Sequence, residues 1–366
     1  MIYQTISVSL ANHAYPIYVG YDLLSHADVL SSHIQGHQVL IVTQKNIADY
    51  YLSPLINLLH DYQCDVCYLP EGEPFKNLQE WQKIFDQLLQ QKHERSTTLI
   101  ALGGGVVGDM TGFAAACYLR GVSYIQIPTS LIAQVDSAIG GKTGVNHPLG
   151  KNMLGAFHQP QCVISDISVL ATLPQREFVS GLAEVIKYGL IMDKDFFTWL
   201  ENNIAAILQR DRQALLEIIT HCSAIKSKIV QHDEKDNGLR NLLNFGHTFG
   251  HALETMLAYQ GILHGEAVAV GMAMAAELSA ELGLITNNDV ERVTQLLTAC
   301  DLVRRIEKSL SLTDFLTLLT RDKKVLNQQQ NFIVLRQIGE AVKMSGIAEQ
   351  QIVNAINRAV GYTFCG

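Results

Sequence analysis

The first 170 residues alternate short apolar runs with segments of helical periodicity, and this alternation limits the possible folds more than any other feature. Buried strands are predicted at residues 39–43, 66–69, 97–102 and 122–127. Helices are predicted between them, at residues 47–59, at 78–91 and in an alanine-rich segment before residue 122. Strands that alternate with helices form βαβ units around a mainly parallel sheet. The sequence therefore predicts an α/β domain with a Rossmann-like sheet, preceded by a hairpin of residues 5–10 and 15–19.

From about residue 174 the pattern becomes helical. Apolar residues recur at helical spacing in residues 176–200, 212–231, 239–259 and 265–282. A later hairpin is predicted from residues 324–326 and 332–335, around the polar residues 327–330. Because 366 residues are enough for two domains, we expect an α/β domain at residues 1–175 and a mainly α-helical domain at residues 176–366.

The composition is that of a folded, acidic protein. Hydrophobic residues make up 48% of the chain and charged residues 17%, which excludes disorder along its length. Lysine and arginine number 27 against 35 aspartate and glutamate residues, so the net charge is −8. A general nucleic-acid binder would carry a basic face. We therefore expect no nucleic-acid partner and at most a local basic pocket for an anionic small molecule.

Neither a membrane segment nor a secretion signal is predicted, and a cytoplasmic location is expected. The chain has no run of about 18 uncharged apolar residues, and its first residues lack a basic segment followed by an apolar one. Seven scattered cysteines are typical of reduced thiols in a cytoplasm. Cys64 and Cys67 form a lone C-x-x-C in a strand-like run. Two structural thiols are the favoured interpretation, with zinc or redox use as the alternative.

A glycine loop follows the predicted strand at residues 97–102. Gly103, Gly105 and Gly108 fit the pattern G-x-G-x-x-G, with a strand before them and a helix after them. Such glycines let the backbone approach a pyrophosphate, whose negative charge the helix N-terminus favours. The motif is not in the first βα unit, however, and no acidic residue ends a strand about 20 residues later. An unusual dinucleotide site and a tight strand-to-helix turn both remain open.

A second glycine cluster, Gly140-Gly141-Lys142-Thr143-Gly144, resembles the end of a P-loop. The first glycine of a P-loop is missing, because Asp136 occupies its position, and no strand precedes it. What remains is a glycine-rich stretch at residues 136–152 that carries Lys142 and Lys151. Two lysines in flexible backbone suit phosphate contacts, and a solvated loop is the alternative.

Histidines and carboxylates recur among apolar neighbours in the helical half. His247 and His251 lie one turn apart, His264 follows at a helix start, and Glu184 shares a helix face with Lys187. Imidazoles with a carboxylate make a zinc site, and three protein ligands leave a position open for substrate. The general-base glutamate of H-E-x-x-H is absent, since Thr248 follows His247. The residues alone thus group all three histidines as candidate ligands, with structural histidines as the alternative.

Five segments together resemble the 3-dehydroquinate synthase family, a group of sugar-phosphate cyclases. They are GGGVVGDMTGFAAA, IPTSLIAQVDSAIGGKTGVNHPLGKNMLGAF, GLAEVIKYGL, GLRNLLNFGHTFGHALE and HGEAVAVGM, between about residues 101 and 272. The flanking regions agree in length. The resemblance implies an α/β NAD-binding domain followed by a helical metal- and substrate-binding domain, usually in a homodimer.

The resemblance also implies roles for individual residues. The metal ligands would be Glu184, His247 and His264, which leaves His251 as a substrate or proton-transfer contact. The cofactor contacts would be Glu71, Gly72, Glu73, Pro74, Phe75, Lys76, Gly105, Val106, Val107, Gly108, Asp109, Thr129, Ser130, Lys142, Lys151 and Thr172. The substrate contacts would be Asp136, Lys142, Asn152, Lys187, Lys226, Arg240, Asn244, His251 and Lys324. Arg120 would reach the phosphate of the substrate in the neighbouring subunit.

The implied reaction converts 3-deoxy-D-arabino-heptulosonate 7-phosphate into 3-dehydroquinate and phosphate, in the shikimate pathway. It combines a transient oxidation by NAD with phosphate elimination, re-reduction and intramolecular aldol closure, and it needs one divalent metal, zinc or cobalt. The alternatives are a cyclase that makes inosose or valiolone rings, a glycerol-dehydrogenase-like oxidoreductase, and a non-catalytic metal- or nucleotide-binding protein. The segments KTGVNHPLGKN and GLRNLLNFGHTFGHALE favour the 3-dehydroquinate synthase family.

Overall fold

The computed structural model describes residues 3–258, 260–303, 311–321 and 331–360. The chain forms two compact units. The first contains Met1–Pro174 and Leu215–Lys235, and the second contains Gln175–Ala214 and Asp236–Gly366. The division into two domains with a single boundary after residue 175 stays a prediction.

Strands dominate the first unit. Its described strands are β1 (Tyr3–Ser9), β2 (Ala14–Gly20), β3 (Gln38–Gln44), β4 (Gln63–Leu69), β5 (Thr98–Gly103), β6 (Ser123–Pro128), β7 (Lys142–His147), β8 (Gly150–Phe157) and β9 (Val163–Asp166). Seven of them form one sheet in the order β1-β2-β9-β6-β5-β3-β4. The β1–β2 hairpin is antiparallel and every other pair in this sheet is parallel. The predicted α/β fold with a mainly parallel sheet and an opening hairpin is therefore confirmed.

The central strands are mainly apolar because helices cover both faces of the sheet. The helices of this part of the chain are α1 (Ala27–Ser31), α2 (Lys45–Leu58), α3 (Leu78–Gln90) and α4 (Gly105–Cys117). Leu40 and Leu99 pack on one face with α3 and α4, while Ile41 and Ile100 pack on the other face with Leu55 of α2. Neighbouring residues of a strand point to opposite faces, so a strand buried on both faces shows a continuous apolar run.

The predicted flexible stretch at residues 136–152 is largely an antiparallel ribbon. Strands β7 and β8 pair with each other, from Lys142 opposite Phe157 to His147 opposite Gly150. No strands were predicted here, because the two strands pack through glycines: a Cβ atom on Gly155 would lie 2.1 Å from the Thr143 carbonyl oxygen. Glycine in a strand often marks the close approach of another backbone, and strands of this kind do not show the alternation of apolar and polar residues by which strands are predicted.

The second unit is mainly helical. The helices from residue 175 onward are α5 (Gln175–Met192), α6 (Lys194–Leu208), α7 (Arg212–His232), α8 (His247–Met256), α9 (His264–Glu281), α10 (Asn287–Ala299), α11 (Leu312–Arg321) and α12 (Glu349–Val360). Most of α7 belongs to the first unit. No helix in the described part of the chain combines the length and the apolar character needed to cross a membrane.

Two of the predicted helices are interrupted. The segment 176–200 is divided at Asp193, whose side chain accepts a hydrogen bond from the Phe196 N–H and so begins α6. The segment 239–259 is a 3₁₀ helix over Leu239–Asn244 followed by α8, with Gly246 at a φ of 78° between them. That left-handed conformation favours glycine. Gly246 therefore allows the chain to change direction between the 3₁₀ helix and α8.

The predicted late hairpin is only partly described. Residues 332–335 belong to β10 (Asn331–Gln337), which pairs antiparallel with β11 (Glu340–Ser345). The other predicted arm, residues 324–326, lies outside the described residues. The pairing with β11 crosses a two-residue turn that contains Gly339 at a φ of 90°.

Candidate metal centre and cofactor-binding residues

Three helices of the second unit bring one carboxylate and two imidazoles together. Glu184 lies on α5, His247 begins α8 and His264 begins α9. The Oε1 atom of Glu184 is 3.4 Å from His247 Nε2 and 3.8 Å from His264 Nε2. The potential ligand atoms of the three residues all lie within 4.8 Å of one another. One carboxylate and two imidazoles are a donor set that suits zinc in a catalytic site with an open position.

Glycines allow α8 and α9 to approach closely enough for this arrangement. A Cβ atom on Gly271 of α9 would lie 2.0 Å from the carbonyl oxygen of Gly246, immediately before α8. Any larger residue at 271 would therefore push the backbone of α9 away from the start of α8. Because His247 follows Gly246 directly, this contact sets the distance between the two helices that carry the histidines.

His247 is oriented by its own backbone neighbourhood. Its Nδ1 atom lies 3.2 Å from the carbonyl oxygen of Phe245, so Nδ1–H can donate there and leave the Nε2 lone pair facing Glu184. Burial lowers the pKa of His247 below its usual value, an effect that exceeds the opposing influence of the Glu184 carboxylate. A neutral imidazole is the form that binds a metal.

Glu184 also contacts Lys187, one turn later on α5. The two side chains form an ion pair and both are almost completely buried. The attraction between two opposite charges paired in this way offsets part of the free energy that their desolvation costs. The carboxylate therefore faces a cation on one side and the two imidazoles on the other.

Sequence reasoning missed one acidic residue of this cluster, Glu254. It lies on α8, three residues after His251 and therefore on the same helix face. His251, Glu254 and His264 form a second group whose potential ligand atoms lie within 4.8 Å of one another. The spacing His251-x-x-Glu254 could have indicated this proximity from the sequence. Glu254 is the last residue of the segment GLRNLLNFGHTFGHALE, however, and the family resemblance assigned it no role.

The first unit brings several predicted cofactor residues together. Lys76 donates hydrogen bonds to Asp109 Oδ2 at 2.5 Å and to Asn152 Oδ1 at 2.6 Å. Burial alone would lower the pKa of Lys76, but the carboxylates of Asp109 and Glu73 outweigh it and raise that pKa. Glu73 in turn accepts a hydrogen bond from Asn146 at 2.7 Å. The segments 71–76, 105–109 and 142–152 thus meet at one charged cluster.

The glycine loop forms the turn between β5 and α4. Gly104 is the N-cap of α4 and provides no side chain that could satisfy the first N–H groups of the helix. A Cβ atom on Gly105 would lie 2.9 Å from Ser137 Oγ, so the residue is held in a narrow space. The Thr129 N–H donates to the Gly103 carbonyl oxygen, which joins this turn to the end of β6. Ligands of open α/β sheets bind at such carboxyl ends of the strands.

A lysine and an aspartate form a further ion pair in the first unit. Lys226 of α7 lies 2.6 Å from Asp136 Oδ1 and also donates to the Asp136 carbonyl oxygen at 2.5 Å. Lys226 is buried, so the pair holds the start of the 136–152 segment against α7.

The other predicted site residues are found in varied surroundings. Arg240 is buried in the 3₁₀ helix Leu239–Asn244, and Asn244 donates to the Asn241 carbonyl oxygen. Thr172 lies 2.6 Å from the Tyr51 hydroxyl. Arg120 is exposed at a φ of 69°, beside Leu119 at 46° and Gly121 at 122°. Lys324 lies outside the described residues.

Comparison with known proteins identifies close relatives. A family model described as 3-dehydroquinate synthase N-terminal matches residues 66–180, and one described as 3-dehydroquinate synthase C-terminal matches residues 181–325. The chain is 50% identical to a 3-dehydroquinate synthase of Nitrosococcus oceani over 355 residues, 97% of this chain and 99% of that protein.

Solved structures of two cyclases share the fold. A 2-epi-5-epi-valiolone synthase from Streptomyces hygroscopicus, with NAD⁺ and Zn²⁺ bound, has a TM-score of 0.89 and 28% identity, covering 96% of this chain and 98% of that one. A 2-deoxy-scyllo-inosose synthase complexed with carbaglucose-6-phosphate, NAD⁺ and Co²⁺ has a TM-score of 0.86 and 25% identity, covering 97% and 99%. Both structures thus contain a nicotinamide cofactor and a divalent metal.

Proposed function

The chain belongs to the 3-dehydroquinate synthase family, and we propose that it converts 3-deoxy-D-arabino-heptulosonate 7-phosphate into 3-dehydroquinate and phosphate. It is a carbon–oxygen lyase of the shikimate pathway that depends on NAD and a divalent metal. The reaction combines transient oxidation, phosphate elimination, re-reduction and intramolecular aldol closure. The observation that carries the proposal is the cluster of Glu184, His247 and His264 in a chain with this family match.

The metal-binding residues in this proposal are Glu184, His247 and His264. Their donor atoms fit a divalent ion, because the carboxylate and the two Nε2 atoms converge and the pKa of His247 is lowered, which favours its neutral form. When bound, zinc or cobalt acts as a Lewis acid toward hydroxyl groups of the sugar. Lys187 forms an ion pair with Glu184, so its positive charge lies beside the proposed metal ligands.

The NAD-binding residues in this proposal surround the start of α4. The N-terminus of α4 without a capping side chain and the narrow space at Gly105 fit a pyrophosphate better than a side chain. Bound NAD would supply the hydride acceptor for the transient oxidation and the hydride donor for the re-reduction. Lys76, Asp109 and Glu73 form the charged cluster that holds the surrounding loops in place.

The substrate carries a carboxylate and a phosphate, which need cationic partners in an acidic protein. We assign Arg240, Lys187 and Lys226 to this task, because all three are buried cations. A buried guanidinium binds a carboxylate or phosphate with two parallel hydrogen bonds. Further proposed contacts are Asp136, Lys142, Asn152, Asn244, His251 and Lys324. Much of the rate enhancement would then come from positioning and electrostatic stabilisation.

We also propose a homodimer and a cytoplasmic location. Arg120 supports the first proposal, because it is exposed on a turn of three successive residues with positive φ, Leu119 to Gly121. Strained backbone of this kind is concentrated at functional sites, and a contact of Arg120 with the neighbouring subunit's substrate would be such a function. Sedimentation of the purified protein tests the dimer.

The first experiment measures phosphate release from 3-deoxy-D-arabino-heptulosonate 7-phosphate with NAD⁺, with and without a chelator, while absorbance reports NADH. Stoichiometric phosphate, no accumulation of NADH and loss of activity with chelator are expected. Accumulation of NADH without phosphate would favour a dehydrogenase. If the protein binds metal and NAD⁺ but gives neither phosphate nor NADH, the result would favour a cyclase that acts on another sugar phosphate. The 50% identity to a 3-dehydroquinate synthase, against 28% to a valiolone synthase, favours the first outcome.

Two variants test the residue assignments. His264→Ala should lose metal and activity together, and retention of the metal would contradict its role as a ligand. Arg240→Ala should keep the metal and lose substrate affinity or turnover, because its proposed contact is with an anionic group of the substrate. Metal content of both proteins is measured by elemental analysis beside their activity.

A further inference from the structure

We propose that Glu254 is a positioning residue that fixes the ring orientation and the tautomer of His264, so that His264 presents Nε2 to the metal. The proposal rests on the metal site of the proposed function. It adds a residue that is itself outside the ligand set. Glu254 lies on α8 and His264 is the first residue of α9, so the contact joins two helices of the same unit.

The geometry gives His264 a carboxylate on each side of its ring. Nδ1 lies 3.2 Å from Glu254 Oε1, which is hydrogen-bond distance. Nε2 lies 3.8 Å from Glu184 Oε1, which is too long for a hydrogen bond. The ring therefore has its hydrogen bond at Nδ1 and faces the remaining members of the ligand cluster with Nε2.

The chemistry of the two groups decides which nitrogen carries the proton. An ionised carboxylate only accepts hydrogen bonds, so a bond between Glu254 and His264 requires the proton on Nδ1. A neutral imidazole has one proton, and Nε2 then carries the lone pair that a metal needs. A carboxylate on the second ring nitrogen of a metal-binding histidine also raises the basicity of the ligand.

Burial makes this contact specific. Glu254 is only 4% exposed, whereas 35% of the His264 side chain is accessible. A histidine with this much free space has several ring orientations available to it. The hydrogen bond to a buried carboxylate selects one of them, and the ring of His251, stacked on His264 with centroids 6.0 Å apart, limits its rotation further.

Direct binding of the metal by Glu254 is the competing interpretation, because Glu254 also belongs to the group with His251 and His264. His264 would then have to bind the metal through Nδ1, the nitrogen on the side of Glu254. The two interpretations thus differ in the tautomer of His264, which is a measurable property.

The experiment measures zinc affinity by competition with a chelator, in the absence of substrate, for the full-length protein and four variants. Glu254→Met removes the hydrogen-bond acceptor at similar length, and Glu254→Gln keeps a neutral acceptor. His264→Ala is the reference for a lost ligand. Glu201→Ala is the control, because it removes a carboxylate of the same unit that pairs with Arg292 and does not belong to either group of candidate metal ligands. Nitrogen-15 NMR of the zinc-bound wild type gives the tautomer of His264.

We expect Glu254→Met to weaken zinc binding by about 10- to 100-fold, Glu254→Gln to weaken it less, and Glu201→Ala to bind like the wild type. The proton of His264 should be on Nδ1. Wild-type affinity in Glu254→Met would overturn the proposal, and so would a proton on Nε2. A loss in both Glu254 variants as complete as in His264→Ala would identify Glu254 as a ligand.

The NMR measurement and Glu254→Gln keep the test decisive if Glu254→Met does not fold. If His264→Ala binds zinc like the wild type, the proposed metal site itself is wrong and the positioning role falls with it. If His264→Ala loses zinc while Glu254→Met does not, only the positioning role fails.

Discussion

Gly265 packs directly against the main chain of Ser180, so that a Cβ atom at residue 265 would lie 1.8 Å from the Ser180 carbonyl oxygen. The Gly265 N–H also donates to the Ser180 hydroxyl at 3.1 Å. Ser180 lies one turn before Glu184 on α5, and Gly265 directly follows His264 on α9. The close contact of these two helices therefore sets the distance between a carboxylate and an imidazole of the metal cluster.

The first prediction is that Gly265→Ala both destabilises the protein and weakens zinc binding. The new methyl group meets backbone, which cannot rotate away, so α9 must shift and carry His264 with it. Overpacking costs about 1 to 3 kcal/mol in the free energy of unfolding, and we expect the upper end of this range. Urea unfolding and chelator competition measure the two effects.

Gly283→Ala is the control for the first prediction. Gly283 has a φ of 71° and nothing within 4 Å of a Cβ atom, so its replacement tests backbone strain without a steric contact. It should lose about 1 to 2 kcal/mol in the free energy of unfolding and keep its zinc affinity. If the two variants lose the same stability and both keep their zinc affinity, the contact of Gly265 with Ser180 does not determine the position of His264.

The second prediction concerns the buried pair of Lys76 and Asp109. Lys76→Met leaves the Asp109 carboxylate without its main cationic partner, and the loss of one member of a buried pair costs about 3 to 5 kcal/mol. Only 5% of the Lys76 side chain and 20% of the Asp109 side chain are exposed, so solvent screens little of this cost. We expect a marked fall in the free energy of unfolding and in the affinity for NAD⁺.

A double-mutant cycle tests whether the stability loss of Lys76→Met comes from the unpaired Asp109 carboxylate. The variant with Lys76→Met and Asp109→Asn removes both charges, so it should be more stable than Lys76→Met alone. Stability losses that simply add would show that the two side chains act independently. NAD⁺ affinity, measured by fluorescence quenching, should stay low in the double variant, because both residues belong to the proposed cofactor site.

The sequence predicted those elements whose pattern follows from burial alone. Strands β3, β5 and β6 differ from their predicted bounds by one residue at each end, because continuous apolar runs arise wherever both faces of a strand are covered. The ribbon of β7 and β8 was not predicted, since its glycines serve a contact between two backbones. Such a contact depends on residues far apart in the chain and leaves no periodic signal.

The candidate site was predictable to a smaller extent. Spacing alone grouped His251 with His247 and His264, and only the family resemblance separated it from the ligand set. The structure shows why spacing was insufficient: all three rings lie within 6.0 Å of one another by their centroids, and the direction of each nitrogen depends on contacts such as the one between His247 and Phe245. Glu254 was missed because its contact with His264 links two helices across a loop.

The third prediction is a loss of stability on acidification that comes partly from His93. This histidine is 4% exposed, and burial lowers its pKa more than the nearby Asp65 raises it. The unfolded chain, with a histidine pKa of about 6.5, then takes up the proton at a higher pH than the folded protein. The contribution of His93 is therefore lost as the pH falls from about 6.5 through the folded pKa.

Urea unfolding at pH 7.5 and at pH 5.5 tests this. His93→Gln should show a smaller difference between the two pH values than the wild type, even if it is less stable at both. His60→Gln is the control, because that side chain is exposed. Other buried histidines contribute to the total pH dependence, so the comparison uses the change on substitution. An unchanged difference in His93→Gln would contradict the prediction.

The fourth prediction is that Cys117 reacts first among the cysteines of the described residues. Cys117 is exposed, whereas Cys67, Cys162, Cys222 and Cys300 are buried and Cys64 is partly buried. Burial raises the pKa of both Cys64 and Cys67 to about 11, so each is a protonated thiol near neutral pH. The thiolate is the reactive form, which argues against redox use of this C-x-x-C.

Iodoacetamide at pH 7.5, followed by peptide mapping with mass spectrometry, tests the order of reaction. Modification of Cys117 should precede that of Cys64 and Cys67, and the buried Cys67 should react only at the rate at which the protein unfolds. Addition of urea is the control that makes all of them accessible. Rapid modification of Cys64 and Cys67 in the folded protein, or their joint protection by added zinc, would instead support a functional role for this pair.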